Sequence, residues 1–90
     1  MKMQTDDMTL VREYAAGQSE QAFSEIVRRH LNLVYSAALR RAGDAQLAED
    51  VAQTVFTILA RKSKTLKADT IVSGWLYQTT RFAAADALKS

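Results

Sequence analysis

Ninety residues confine the chain to one domain with a single small core, and a hydrophobic content of 48% is sufficient to build it. The absence of cysteine excludes a disulfide framework and a thiolate metal site, and no segment approaches the roughly 20 apolar residues of a membrane span. The formal charge of +2 conceals a division, because residues 1–60 carry six basic against eight acidic side chains and residues 61–90 carry six against two. That asymmetry hints at a nucleic-acid or other anionic partner for the last third and at something different for the remainder, although a solvated basic loop is common.

Zero proline and three glycines predict long, uninterrupted helices, so the fold class is all-α: a small bundle of about four helices around a central antiparallel helical hairpin. Met1–Val11 lacks the apolar run of a signal peptide, and a cytoplasmic location is expected. In chain order, Asp6 or Asp7 caps a short first helix whose Leu10, Val11 and Tyr14 share a side and whose C-terminal glycine is Gly17. Ser19 caps a longer helix to about Arg41, with an apolar stripe of Phe23, Ile26, Val27, Leu31, Val34, Ala37 and Ala38. Arg28, Arg29, Arg40 and Arg41 fall away from most of that stripe.

Gly43 closes the second helix and Asp44 caps the third, a connection short enough to force antiparallel neighbours. The third helix, to Arg61, is the stretch around which the rest is organised. Leu47, Val51, Val55, Ile58 and Leu59, with Ala48 and Ala52, form its buried stripe, and Glu49, Asp50, Gln53, Thr54 and Thr57 crowd a polar face. Acids near its start and Arg61 and Lys62 near its end also suit the helix dipole, which accounts for part of this pattern without any partner. The following residues, Lys62–Asp69, have no continuous period and an isolated Leu66, and read as a basic connector with room for one helical turn. Thr70 is the expected cap of a last helix from Ile71 to about Leu88, with Trp75, Leu76, Thr79 or Thr80, Ala83 and Ala87 inward and Trp75 as the core anchor.

Catalysis has no support in these residues. Glu49 and Asp50 are consecutive, and consecutive helical side chains diverge by about 100°, so they do not form a paired-carboxylate site. No glycine-rich phosphate loop, nucleophile motif or zinc spacing occurs, and His30 stands alone, which nominates no catalytic residue, metal ligand or cofactor.

The run Ala48-Glu49-Asp50-Val51-Ala52-Gln53-Thr54-Val55-Phe56, then Gly74-Trp75-Leu76-Tyr77, then Asp86-Ala87-Leu88-Lys89, resembles region two of bacterial sigma factors, with the extracytoplasmic-function (ECF) type the nearest in kind. The likeness extends from about Met8 to Lys89 and includes the arginine-studded helix ending Arg40-Arg41-Ala42-Gly43-Asp44; the order and spacing of the pieces are its specific part. The resemblance implies a single region-two domain over residues 1–90, the amino-terminal part of a longer chain, that takes part in transcription initiation. It implies core RNA polymerase as one partner, with the coiled-coil of the largest catalytic subunit docking on the polar third-helix face of Glu49, Asp50, Gln53, Thr54 and Thr57. It implies promoter DNA as the other, with Arg61, Lys62, Lys64, Lys67, Tyr77, Arg81, Phe82 and Lys89 holding the non-template strand of the minus-ten element open. An anti-sigma factor is a further candidate partner.

The charge division suits such roles, since phosphates attract cations and an acid- and amide-bearing face can pair with a partner's arginines. Three positions depart from the family pattern: Thr54 where glutamate usually follows the glutamine, Phe82 where asparagine is common, and Lys89 where arginine is usual. Two other functions remain open on the residues alone, a helical protein-interaction module that never touches DNA and a generic duplex binder using its last helix in the major groove. Salt-sensitive preference for single-stranded over duplex DNA separates them from the first.

Overall fold

The computed structural model describes residues 5–89; residues 1–4 of the stretch weighed as a leader, and Ser90, lie outside it. Four helices follow in order: α1 Asp7–Gly17, α2 Glu20–Ala42, α3 Ala45–Lys62 and α4 Val72–Lys89. Their starts are set by short polar side chains that satisfy backbone donors left free in a first turn. Asp6 Oδ2 accepts from the Met8 N–H at 3.1 Å, Ser19 Oγ from Ala22 at 3.2 Å and Asp44 Oδ1 from Leu47 at 3.0 Å. Gly43, at φ 70°, ends α2 in the left-handed region that glycine enters without steric cost, and its N–H donates to the Leu39 carbonyl.

Two expected boundaries are corrected. Gly17 is the last residue of α1, and the left-handed position belongs to Gln18, at φ 56°, whose N–H reaches the Tyr14 carbonyl at 2.6 Å. The helix simply runs one residue further before it turns. At α4, Thr70 does not open the helix: its N–H closes a turn on the Lys67 carbonyl, and the first helical bond runs from the Trp75 N–H to the Ile71 carbonyl.

The longest helix, α2, packs against α1, α3 and α4, and α3 and α4 also pack on each other, so α2 rather than α3 is the scaffold. The core is Val11 from α1, Ile26, Val34 and Ala38 from α2, Ala48, Val51, Val55 and Leu59 from α3, and Leu76, Thr80 and Ala84 from α4. Ala38 and Ala48 stand five residues on either side of Gly43, and such small side chains let the two backbones approach closely at the closed end of the hairpin. Thr80 is the fully buried member of the threonine pair, and its hydroxyl is satisfied by donating to the Leu76 carbonyl at 2.7 Å. Trp75, expected as the anchor, is half-buried at the rim of the core; Leu76 occupies the centre. Leu31, assigned to the α2 stripe, is 45% exposed.

The connector is tied down at both ends. The Lys62 carbonyl accepts from the Thr65 and Leu66 N–H groups and from the Thr65 hydroxyl, Ser63 is buried with its hydroxyl on the Ala60 carbonyl, and Leu66 packs against the core. The bond from Leu66 to Lys62 closes the one helical turn for which the connector has room, and a second turn follows at Lys67–Thr70.

Candidate polymerase and nucleic-acid surfaces

Glu49, Asp50, Gln53, Thr54 and Thr57 are all solvent-exposed on α3. They do not form one surface. Glu49, Asp50, Gln53 and Thr57 rim a groove of about 930 Å³ between α2 and α3, whose apolar lining includes Phe23, Val27, Leu31, Tyr35 and Phe56. Thr54 lies on the other side of α3, in a cleft of about 200 Å³ toward α4 that it shares with Asp50, Ile58 and Asp86. Asp50 alone of the five borders both. The threonine hydroxyls donate back along their own helix, Thr54 to the Asp50 carbonyl at 3.0 Å and Thr57 to the Gln53 carbonyl at 2.9 Å. Each therefore offers a partner acceptor lone pairs rather than its proton.

The apolar half of this groove escapes a periodicity reading, because Phe23, Val27 and Leu31 obey the same spacing as the core. The signal that distinguishes them is width. Phe23, Val27, Leu31 and Tyr35 continue one side of the α2 stripe beyond what three neighbouring helices can cover, and Tyr14 on α1 meets only Phe23 among the aromatics, at a ring separation of 4.8 Å.

Arg61, Lys62, Lys64 and Lys67 are exposed along the end of α3 and the connector, and Tyr77, Arg81, Phe82 and Lys89 are exposed on α4. On α4 the outward positions Gly74, Gln78, Arg81 with Phe82, Ala85 and Lys89 follow steps of three and four, which makes one continuous lane. Phe82 is 73% and Tyr77 41% exposed. Among the described residues the four ion pairs all join α1 and α2 or lie within α2, and none involves a cation of the connector or of α4.

Those four pairs form a network that sequence spacing does not announce, since its key contact joins residues 22 apart. Glu25 takes both Arg28 (2.6 Å) and Arg29 (2.9 Å), Arg29 Nη1 reaches Asp7 Oδ1 at 3.0 Å, and His30 Nε2 lies 2.9 Å from Asp7 Oδ2. The hydrogen bonds from Arg28 and Arg29 hold the Glu25 carboxyl down to about 2. Asp7, Arg29 and His30 thereby fasten α1 to α2. No group of three or more His, Cys, Asp or Glu suited to a metal occurs among the described residues. No helix among them is long and apolar enough to cross a membrane.

Among the described residues, the all-helical domain thus carries an acid-rimmed apolar groove between α2 and α3 and a set of exposed cations beside exposed aromatics on the connector and α4. Residues 26–90 match the family model of sigma-70 region 2, and the chain belongs to that family, a domain of transcription initiation factors and not of a known enzyme family. In general terms this family binds RNA polymerase and recognises the promoter minus-ten element. No curated protein and no solved structure matched the chain.

Proposed function

We propose that this chain is region two of an ECF-type bacterial sigma factor, acting in the cytoplasm, and that it works through two surfaces. The groove between α2 and α3 receives a helix of the coiled-coil in the largest polymerase subunit, apolar residues entering over Leu31, Tyr35 and Phe56 and basic residues meeting Glu49, Asp50 and Gln53. Thr57 contributes an acceptor at the groove rim, and Thr54 a contact from the α4 side of the same helix. Arg61, Lys62, Lys64 and Lys67 attract the phosphates of the non-template strand, and Tyr77, Arg81, Phe82 and Lys89 hold that strand as the minus-ten element opens. An anti-sigma factor covering either surface would silence the domain.

The observation that carries this reading is the run of exposed cations along the connector and α4, none of which meets a carboxylate among the described residues, beside the exposed rings of Tyr77 and Phe82. Free cations beside exposed rings suit a strand whose phosphates and bases are both accessible. The test is a pair of titrations. Asp50→Ala with Gln53→Ala should weaken binding to core polymerase and leave strand binding by the assembled complex intact per molecule bound. Lys64→Ala with Lys67→Ala should do the reverse, and strand binding should fall steeply with salt. If both double variants behaved as the parent, the assignment of the two surfaces would be wrong.

A further inference from the structure

Phe82 projects from α4 at 73% exposure, with Gln78 one turn before it, Arg81 adjacent and Lys89 two turns after, all exposed. The acid on that helix, Asp86, is exposed one turn after Phe82 and also lines the cleft toward α3 with Asp50 and Thr54. A phenyl ring has no donor or acceptor, so it cannot read the edge of a base as the asparagine common in the family could. What it offers a strand is its face, and every base has one. Paired bases inside a duplex present no free face, whereas an unpaired base beside a cation-held backbone does.

We infer that Phe82 stacks on one unpaired base of the bound strand and that, at that position, the domain senses the presence of a base without sensing its identity. This rests on the strand-binding reading above. The cations on either side of the ring set where the backbone runs, and the ring takes the base that this path delivers. Base choice must then come from other side chains, which narrows the specificity-bearing part of α4 to polar positions such as Gln78 and Arg81.

The test uses the chain loaded on core RNA polymerase and a single strand selected by that complex from a random-sequence library. Each nucleotide of the strand is replaced in turn by an abasic site and by the other three bases, and affinities are read by competition. The parent should show one position at which the abasic strand binds roughly 5- to 100-fold more weakly while the four bases agree within about threefold. Phe82→Ala should abolish the abasic effect at that position alone, and Phe82→Trp should retain it. The inference is overturned if Phe82→Ala leaves every abasic penalty unchanged, or if the position it affects discriminates among the four bases. Failure of the complex to retain any strand, or retention indifferent to salt and to Lys64→Ala with Lys67→Ala, would overturn the strand-binding reading itself, a distinct result.

Discussion

Leu31 offers the sharpest measure of whether the α2–α3 groove is a docking site. The side chain is 45% exposed at the groove wall, so about that fraction of its burial free energy is still available to a partner. Full burial of a leucine is worth roughly 1.5–3 kcal/mol, which leaves roughly 0.7–1.4 kcal/mol for an occupant that covers the exposed part. Leu31→Ala should therefore weaken binding to core polymerase about three- to tenfold. The half already buried makes the variant less stable by about 1 kcal/mol, a fall of roughly 4–8 °C in Tm for a domain of this size, so the titration belongs well below the transition. Leu39, 37% exposed near the far end of α2 and outside the groove, is the control: Leu39→Ala should bind polymerase as the parent does. Measured by titrating labelled domain with core enzyme, equal affinities for the parent and both leucine variants would refute the groove. A loss with Asp50→Ala in the same experiment would then direct attention to the α3–α4 cleft.

Thr80→Val should leave stability unchanged or raise it by up to about 1 kcal/mol in thermal or urea unfolding, because the Leu76 carbonyl keeps its helical N–H while a buried hydroxyl disappears; a clear loss would mean that the hydroxyl bond is itself important. Glu25 is held down to about 2 from its ordinary 4.5, so its contribution is fully present above about pH 5 and is lost as pH falls toward 2. Thermal melts across that window should show the loss in the parent and a flatter profile in Glu25→Gln. Thr54→Glu adds a third carboxylate to a cleft already holding Asp50 and Asp86, with Asp50 one turn away on the same helix. It should lower stability by about 0.2–0.5 kcal/mol at low salt, less at high salt, while tightening polymerase binding if basic residues of the partner reach that side.

The helices were legible because their signals are local. Asp6, Ser19, Asp44 and Gly43 act within four residues of where they stand, and three of the four starts and the α2–α3 turn follow from them. Errors arose where a local preference met an alternative of similar free energy, as at Gly17 against Gln18, or where Thr70 was engaged in a connector turn. Burial on α2 was less legible, because helical spacing says which residues share a side but not how much of that side the neighbours cover; Leu31 and Phe23 satisfy the pattern and still face a groove. Likewise, one polar stripe on α3 divides into two environments, since residues 53 and 54 point about 100° apart and α2 and α4 lie on different sides. The Asp7–Arg29 contact spans two helices and has no period to betray it.

On the proposed reading, a small domain that binds an acidic polymer with one surface and a basic protein surface with another must keep the two fields from cancelling. Screening reduces interactions between exposed charges beyond about 8 Å at physiological ionic strength, and one helix with its side chains is about 10 Å across. The molecule's shortest dimension is 22 Å, so surfaces on opposite faces of the bundle lie more than a screening length apart, while Asp50 borders the α3–α4 cleft as well as the groove. On the proposed reading, Glu49, which borders the groove and not the α4 cleft, attracts a basic helix without repelling a strand along the outward lane of α4, whereas Asp50 faces both. Of the four arginines of α2, Arg28 and Arg29 are paired, whereas Arg40 and Arg41 are exposed at its last turn with no ion pair among the described residues. Glu25 neutralises Arg28 and Arg29 locally, and Arg29, through Asp7, also fastens α1. Local charge pairing and helix packing thus coincide at Arg29, which belongs to the helix that packs on all three others.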